Sequence, residues 1–375
     1  MAGETVLVTG GAGFVGGHLV EALLARGERV RILDSLDSQV HGRAPVRPAW
    51  LPAEAELMIG DVRDPEVWPR ALREVGAVYH LAAAVGVGQS MYRVADYVAV
   101  NALGTANLLQ ALVDGSRELK RLVVASSMSI YAEGRYARPD GAEPCVQRRP
   151  AEQLRQRQWE LRDLDGTPLE PRPTDEAKPL DPMSIYALTK ADQERMVLQI
   201  AAAYGIPAVA LRFFNIYGPR QALSNPYTGV AAIFSARLLN GRPPLVFEDG
   251  HQRRDFVSVH DVVEALLLAG DRNGVEGQVL NVGSGRAVTV LEVAETLARV
   301  LGSSLEPRVT GRCRVGDVRH CTADVTRARA VLGYQPRVSF ETGMEELVAW
   351  LGEQELPEDG VSGHAADLTA RGLTI

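Results

Sequence analysis

The sequence predicts an α/β fold: a parallel, doubly wound sheet with helices on both faces, followed by a smaller mixed α/β lobe. Two observations carry that expectation. Short apolar runs rich in β-branched residues alternate with longer stretches of helical period, as stacked βαβ units require. After Asn215 the rhythm changes, with turn signals at Gly218-Pro219 and Pro243-Pro244 and shorter strands such as Leu245 to Phe247.

Composition bounds the function. A chain of 375 residues, 46% of them hydrophobic, can bury one large core or two adjoining ones, which excludes disorder as the main state. A formal charge of -7 provides no chain-wide basic field, so nucleic acid and anionic membranes are not expected partners. With no cationic leader, signal core or apolar span of about 20 residues, the expected compartment is the cytosol. Cys145, Cys313 and Cys321 are too few and too scattered for a disulfide framework or a zinc quartet, so no metal is expected.

The first predicted strand, Val6 to Val8, runs into Thr9 to Gly16, TGGAGFVG, and then into a helical pattern from about His18. Its glycines fit two spacings, Gly10-Gly13-Gly16 and Gly11-Gly13-Gly16. Such a turn brings backbone amides and the positive end of a helix close to a pyrophosphate, with Phe14 and Val15 supplying helix-start amides. The next strand, Val30 to Leu33, ends in Asp34, the natural acceptor for the adenosine ribose hydroxyls and a repellent for a 2'-phosphate. That context turns a weak motif into a Rossmann-type dinucleotide site selective for NAD. After the third strand, Leu57 to Ile59, Asp61 and Val62 are positioned to flank the adenine, although Asp61 also suits a turn cap. The fourth, Val78 to Leu81, ends in HLAAA, where Leu81, Ala82 and Ala83 offer small residues against a cofactor. His80 there suits a packed role better than a catalytic base.

The fifth strand, Leu122 to Ala125, leads into ASSMSIYAEG, which offers Ser126, Ser127 and Ser129 as hydroxyls; alternation alone does not choose among them. An irregular excursion from Arg135 to Lys178 follows, rich in Pro, Arg, Glu and Gln. It departs and returns beside the expected reacting carbon, with Arg148, Arg149 and Trp159 best suited to meet a sugar or phosphate. The helix PMSIYALTKADQE then sets Tyr186 and Lys190 four residues apart on one face. A tyrosine is a weak base at neutral pH; a neighbouring ammonium and a cationic nicotinamide both favour its phenolate. The sixth strand is Val209 to Phe213.

Together TGGAGFVG, HLAA, the Ser127 strand, YALTK and LRFFNIYGPRQ resemble the extended short-chain dehydrogenase/reductase family, in its branch of nucleotide-sugar epimerases, dehydratases and decarboxylases, over roughly Thr5 to Leu351. The resemblance implies NAD as cofactor and a nucleotide-diphosphate sugar as substrate. By motif position it gives Ser127, four residues before Tyr131, the catalytic Ser/Thr role, with Tyr186 and Lys190 as its partners. It places Asn101 near the nicotinamide, Phe214 in the cofactor pocket, and Asn215, Arg254, Arg314 and Asp317 around the sugar diphosphate and nucleotide ribose. Arginine suits that task because its planar fork holds two phosphate oxygens.

Within this family dehydratases carry Asp-Glu after the catalytic threonine, and decarboxylases carry a glutamate two residues on. Here Met128 and Ser129 stand there, so the resemblance implies C4 epimerisation, of the kind performed by deoxysugar 4-epimerases. The insertion of that group often holds Cys-x-x-Cys-Gly, whereas this chain has Arg162-Asp163-Leu164-Asp165-Gly166, which bears on the choice of sugar. A net ketoreductase would instead turn over NADH stoichiometrically, and an NAD-binding sensor would have no use for the Tyr-Lys pair. The expected organisation is a dinucleotide-binding domain at 1–214 and 254–283, a nucleotide-sugar lobe at 215–253 and 284–352, and a tail at 353–375. A homodimer is expected through the helices around Asn101 to Val113 and Ile185 to Ala203.

Overall fold

The computed structural model describes residues 4–42, 46–115, 118–145, 148–221, 229–314, 316–354, 371, 372 and 374. Seven strands form one parallel sheet: β1 (Thr5–Thr9), β2 (Arg29–Asp34), β3 (Glu56–Ile59), β4 (Val75–His80), β5 (Arg121–Ser127), β6 (Ala208–Phe213) and β7 (Val279–Val282). Their spatial order is β7-β6-β5-β4-β1-β2-β3. The order reverses between β1 and β4, and a doubly wound sheet opens its binding crevice at such a switch point. Every residue of β1, β5 and β6 is buried, as strands covered on both faces require.

The longer helices are α1 (Phe14–Ala25), α2 (Gly104–Asp114), α3 (Ile185–Tyr204), α4 (Val230–Leu239), α5 (Val259–Asp271), α6 (Val290–Val300) and α7 (Phe340–Leu351). One face of the sheet packs Val8, Val123 and Leu211 against Leu19 and Leu23 of α1 and Val262 and Leu266 of α5. The other packs Leu7, Val78 and Leu122 against Leu108 of α2 and Val197 and Ala201 of α3. A third apolar cluster joins Phe234, Leu238, Phe256, Val293, Leu297, Phe340, Met344 and Leu347, from α4, α6, α7 and a mixed sheet. That sheet pairs Arg253–Ser258 in parallel with Asn215–Tyr217 and His320–Cys321, and antiparallel with Ala287–Thr289. All three cysteines are free thiols.

Six sheet strands coincide with the six apolar runs read from the sequence. The seventh has no such signal, because VLNV is short and carries a central asparagine. Asn281 is buried there because it is satisfied: its Oδ1 accepts from the Tyr131 hydroxyl at 2.7 Å and its Nδ2 donates to the Thr174 carbonyl at 2.9 Å.

The excursion is more ordered than its composition suggests. An antiparallel hairpin, Arg135–Ala137 against Glu170–Arg172, closes its base, and Tyr136, Leu161 and Leu169 form a small core inside it. A buried ion cluster then ties it to the rest of the molecule. Arg149 lies 3.3 Å from Glu133 and 2.7 Å from Glu248, and donates to the Asp317 carbonyl at 2.9 Å. Arg319, also buried, pairs with Glu248 at 2.9 Å and Asp249 at 2.6 Å, while Glu160 receives Arg319 Nε at 3.0 Å and pairs with His320 at 2.9 Å. Buried guanidinium groups demand such partners, since an unpaired charge there costs several kcal/mol. Arg149 is therefore committed to this cluster rather than displayed to a ligand, and Arg148 pairs with Asp181.

Burial raises the pKa of Glu160, but hydrogen bonds from His320 and Arg319 outweigh it and hold the group at about 2. A carboxylate depressed in the folded state contributes its stabilisation above its ordinary value of 4.5 and loses it as the pH falls toward 2. Acidification through that window is expected to loosen the excursion first. Pepsin should cut within 135–178 before far-UV dichroism falls, and Glu160→Gln should expose the same cuts to neutral proteases at pH 7. Cleavage that only accompanies global unfolding would contradict the latch.

Candidate active site

The glycine turn between β1 and α1 is shaped by close backbone approach. Gly10 has φ 69°, in the left-handed region that favours glycine, and a Cβ there would lie 2.9 Å from the backbone of Ala82. At Gly16 a Cβ would meet the Gly10 carbonyl oxygen at 2.1 Å, whereas at Gly13 its nearest neighbour is that same oxygen at 3.2 Å. Gly13 is the N-cap of α1 and no side chain caps the helix, so the amides of Phe14, Val15 and Gly16 form an uncapped positive end. This open mouth suits a pyrophosphate. Asp34 is oriented across the turn, its two oxygens accepting from Ala12 N at 3.0 Å and Leu36 N at 2.9 Å. Each retains acceptor capacity for a ribose hydroxyl.

The remaining cofactor-side candidates line the same crevice at the ends of β3 and β4. Leu81 N donates to the Thr9 carbonyl and Ala82 N to Thr9 Oγ1, both at 3.2 Å, which fixes the path through Ala83 beside the turn. Asp61 holds Arg63, with Nε at 3.0 Å, and Arg63 is the largest of the causes that pull its pKa down. Val62 is buried and would touch any Cβ added at Gly104. Asn101 is buried in a π-helical turn, Val98–Leu103. Its Oδ1 accepts from Ala84 N at 2.7 Å and its Nδ2 donates to Ala84 O at 3.1 Å and Thr189 Oγ1 at 3.0 Å, so it clamps the loop after β4 onto α3.

Helix α3 begins with Ser184, whose hydroxyl accepts from Ala187 N at 3.1 Å, and so sets Tyr186 and Lys190 over the end of β5. The three serines there separate cleanly. Ser126 Oγ turns away to donate to Glu194 at 2.6 Å. Ser127 Oγ accepts from Ser129 N at 3.2 Å and Ser129 Oγ at 2.9 Å, and hydrogen-bonds Tyr186. Since its lone pairs already receive two donors, Ser127 has only its own proton left to donate. Burial raises the Tyr186 pKa and that bond opposes the rise. Lys190 is buried, with Nζ donating to the Ala125 carbonyl at 2.8 Å and Gln193 Oε1 at 3.0 Å; desolvation lowers its pKa to about 7.

Phe214 follows β6 and packs near Tyr131, with ring centroids 6.4 Å apart. Asn215 begins the strand that enters the mixed sheet, and its Oδ1 is buried with no hydrogen-bond partner among the described residues. Arg254 donates to the Arg319 carbonyl at 3.0 Å and to Asp317 at 3.3 Å; Arg314 reaches the same carboxylate at 3.0 Å and stacks 5.0 Å from Phe247. Burial raises the Asp317 pKa, but Arg314 and Arg254 outweigh it and leave the carboxylate below its ordinary range. These three residues thus converge on one patch.

Residues 6–153 and 165–283 match the model of the NAD dependent epimerase/dehydratase family. The chain belongs to this family. It is 36% identical over 354 residues to a dTDP-L-rhamnose 4-epimerase of Burkholderia thailandensis, covering 94% of this chain and 96% of that one. Among solved structures, the UDP-glucose 4-epimerase of Thermotoga maritima with UDP-glucose superposes with a TM-score of 0.76 at 30% identity, covering 93% of this chain and 99% of that one. The Thermus thermophilus UDP-glucose 4-epimerase in complex with NAD gives 0.72 at 32% identity, covering 93% and 100%.

As a member of an NAD dependent family, the chain takes NAD, and the open glycine turn with Asp34 across it fits that cofactor. Sequence reading passed over the polar groups behind the family's Tyr-Lys pair. Gln193, one turn beyond Lys190, carried a usable signal in its helical spacing; Thr9, Thr105 and Thr189 carried none, since their partners come from other elements.

The glycines separate folding from cofactor binding. Gly16→Ala forces a methyl into backbone and is expected to cost on the order of 1–3 kcal/mol, a lowered Tm in calorimetry. Gly13→Ala should fold with a Tm near the parent value and yet lose NAD affinity in titration calorimetry, because its methyl occupies the mouth of α1. Unchanged NAD affinity in Gly13→Ala would refute this placement.

Proposed function

We propose that the protein is an NAD-dependent nucleotide-sugar 4-epimerase acting on a dTDP- or UDP-linked hexose or deoxyhexose. One observation carries the reading: Ser127, Tyr186 and Lys190 assemble at the end of β5, while Met128 and Ser129 occupy the positions where the dehydratase and decarboxylase branches carry acids. Gly10, Gly13, Phe14, Val15, Gly16 and Asp34 would hold the adenosine diphosphate half of NAD, with Asp61 and Val62 at the adenine. Leu81, Ala82, Ala83, Asn101 and Phe214 would bound the nicotinamide half. When bound, NAD supplies the acceptor and later the donor of the C4 hydride.

The chain's own groups handle the proton. Tyr186 as phenolate takes the proton of the sugar C4 hydroxyl, and Ser127 holds the same oxygen. The Lys190 ammonium stabilises the phenolate against the burial that disfavours it. Epimerisation then needs only that the 4-ketose turn over before Tyr186 returns the proton, so no further acid or base is required. The unpartnered Asn215 Oδ1 and the Arg254-Arg314-Asp317 patch support a diphosphate and ribose site on the other wall. We read the excursion, tied through Arg149 and Glu160 to residues 317–320, as the shaper of the sugar end.

We also propose a cytosolic homodimer. Three free thiols fit a reducing compartment. Val94, Val98, Leu103 and Leu188 are each more than 40% exposed on helices that pack on one another, an apolar area that a second copy would cover. Light scattering at micromolar concentration should give a dimer, and Leu103→Arg should shift it toward monomer; a monomeric parent protein would overturn the proposal.

NMR of products from dTDP-L-rhamnose, UDP-glucose and UDP-glucuronic acid should reveal C4 inversion for one of them without net NADH. Loss of water or carbon dioxide would overturn the epimerase reading. Tyr186→Phe should lower turnover by about 10²- to 10⁴-fold with the fold and NAD binding intact, and Ser127→Ala by less.

A further inference from the structure

Lys190 is a buried cation seated on neutral groups. Its two acceptors are carbonyl oxygens, one from Ala125 and one from Gln193. The charged and titratable groups around it are otherwise occupied. On α3, Glu194 pairs with Arg212 of β6 at 2.6 Å and also accepts from Ser126, so its charge is already matched. Asp192, two positions along α3 from Lys190, lies on the opposite side of the helix. From the segment before α2, Tyr97 meets the Tyr186 ring edge-on and donates its hydroxyl to Gln89 at 3.0 Å. From β4, His80 is kept neutral, since burial first and Lys190 second lower its pKa to about 3. No carboxylate among the described residues forms an ion pair with Lys190.

The orientation of Gln193 is fixed by a directional chain of hydrogen bonds. Thr105 Oγ1 gives its only proton to the Asn101 carbonyl at 2.7 Å, so every other bond at that oxygen is accepted. His80 Nε2 at 2.9 Å and Gln193 Nε2 at 2.8 Å are therefore donors to it. His80 must then carry its proton on Nε2 and accept at Nδ1 from Thr9 Oγ1 at 2.8 Å, and Thr9 in turn accepts from Ala82 N. With the Gln193 amino group held by Thr105, its carbonyl oxygen is the atom presented to the ammonium. A flipped amide would set N-H against N-H.

We infer that Gln193 is a positioning residue for the reaction: its locked amide seats the Lys190 ammonium beneath Tyr186 while leaving the positive charge uncancelled, so that the whole field acts on the phenol. This rests on the reading of Tyr186 as the group that takes the sugar proton. A glutamate of the same shape at 193 would neutralise the ammonium and raise the Tyr186 pKa. A methionine would remove an acceptor and let Lys190 lose its proton at lower pH.

The test is a direct titration of Tyr186 in the NAD-bound protein by NMR of ¹³Cζ-labelled tyrosine, with Tyr186→Phe assigning its signal among the ten tyrosines. Gln193→Glu is expected to raise its ionisation by at least about one pH unit, and to move the acid limb of the kcat profile upward by the same amount. On the acid limb, at a pH below that ionisation, this corresponds to about a ten-fold loss of kcat on the sugar that turns over, with KM changed less than about two-fold. Gln193→Met should instead bring the alkaline limb down. Should Gln193→Glu fail to fold, Thr105→Val, which frees the amide, carries the test and should also lower the alkaline limb. Variants that lose rate with both limbs and the Tyr186 titration unmoved would overturn the inference. Retention of full rate by Tyr186→Phe would defeat the underlying mechanism instead, so the two failures are distinguishable.

Discussion

The packing of helix α3 against β5 is the interaction on which the site depends. Val197 and Ala201 of the helix sit in the same apolar cluster as Leu122 and Val124 of the strand, and this contact fixes the axial and rotational register of α3. At about 100° per residue, a slip of one position would swing Tyr186 away from Ser127 and withdraw Lys190 from the Ala125 carbonyl. The register is also guarded by polar pairings that tolerate no slip. Ser126 to Glu194, Ala125 to Lys190 and Asn101 to Thr189 each join α3 to a neighbouring element at 3.0 Å or less. Apolar burial supplies the stability, and buried hydrogen bonds supply the registration.

Much of this was legible in the chain because local signals agree. Six strands announce themselves by apolar runs, the glycine turn by its place between strand and helix, and Tyr186 with Lys190 by their helical spacing. Ser127 needed the family resemblance in the sequence and needs only geometry in the structure, because Ser126 faces Glu194 and Ser129 donates to Ser127. Other features depend on partners far along the chain. Val279–Val282 is a strand because Asn281 finds Tyr131, 150 residues away in sequence. Arg149 looks like a free cation in a polar segment, yet Glu133, Glu248 and the Asp317 carbonyl surround it. No window of sequence contains that information.

The two walls of the crevice are built on different electrostatic plans. On the cofactor wall charge is met by backbone, through the uncapped end of α1, and the ammonium of Lys190 rests on carbonyls. On the opposite wall Arg254, Arg314, Arg149 and Arg319 are each matched by carboxylates, and Asp317 serves two of them. At Asp317 two guanidinium groups share one carboxylate, so an acidic chain keeps a locally cationic patch there without a basic surface. The excess of carboxylates is what lets several guanidinium groups lie under cover.

The long reach of the ion cluster also dictates an order of assembly. Glu133 accepts from the backbone amide of Arg319, 186 residues later, and Arg149 donates to Asp317, 168 residues later. During synthesis the glycine turn and the first five strands are complete while the partners of the excursion have not left the ribosome. Contacts of such separation form slowly, because a long loop must close before they give any return. Until then Arg149 and Glu133, whose side chains end up buried, remain in water, and their solvation keeps the nascent segment soluble and apart from the young core. The cofactor half of the crevice is therefore built first, and its opposite wall closes only as the chain is finished.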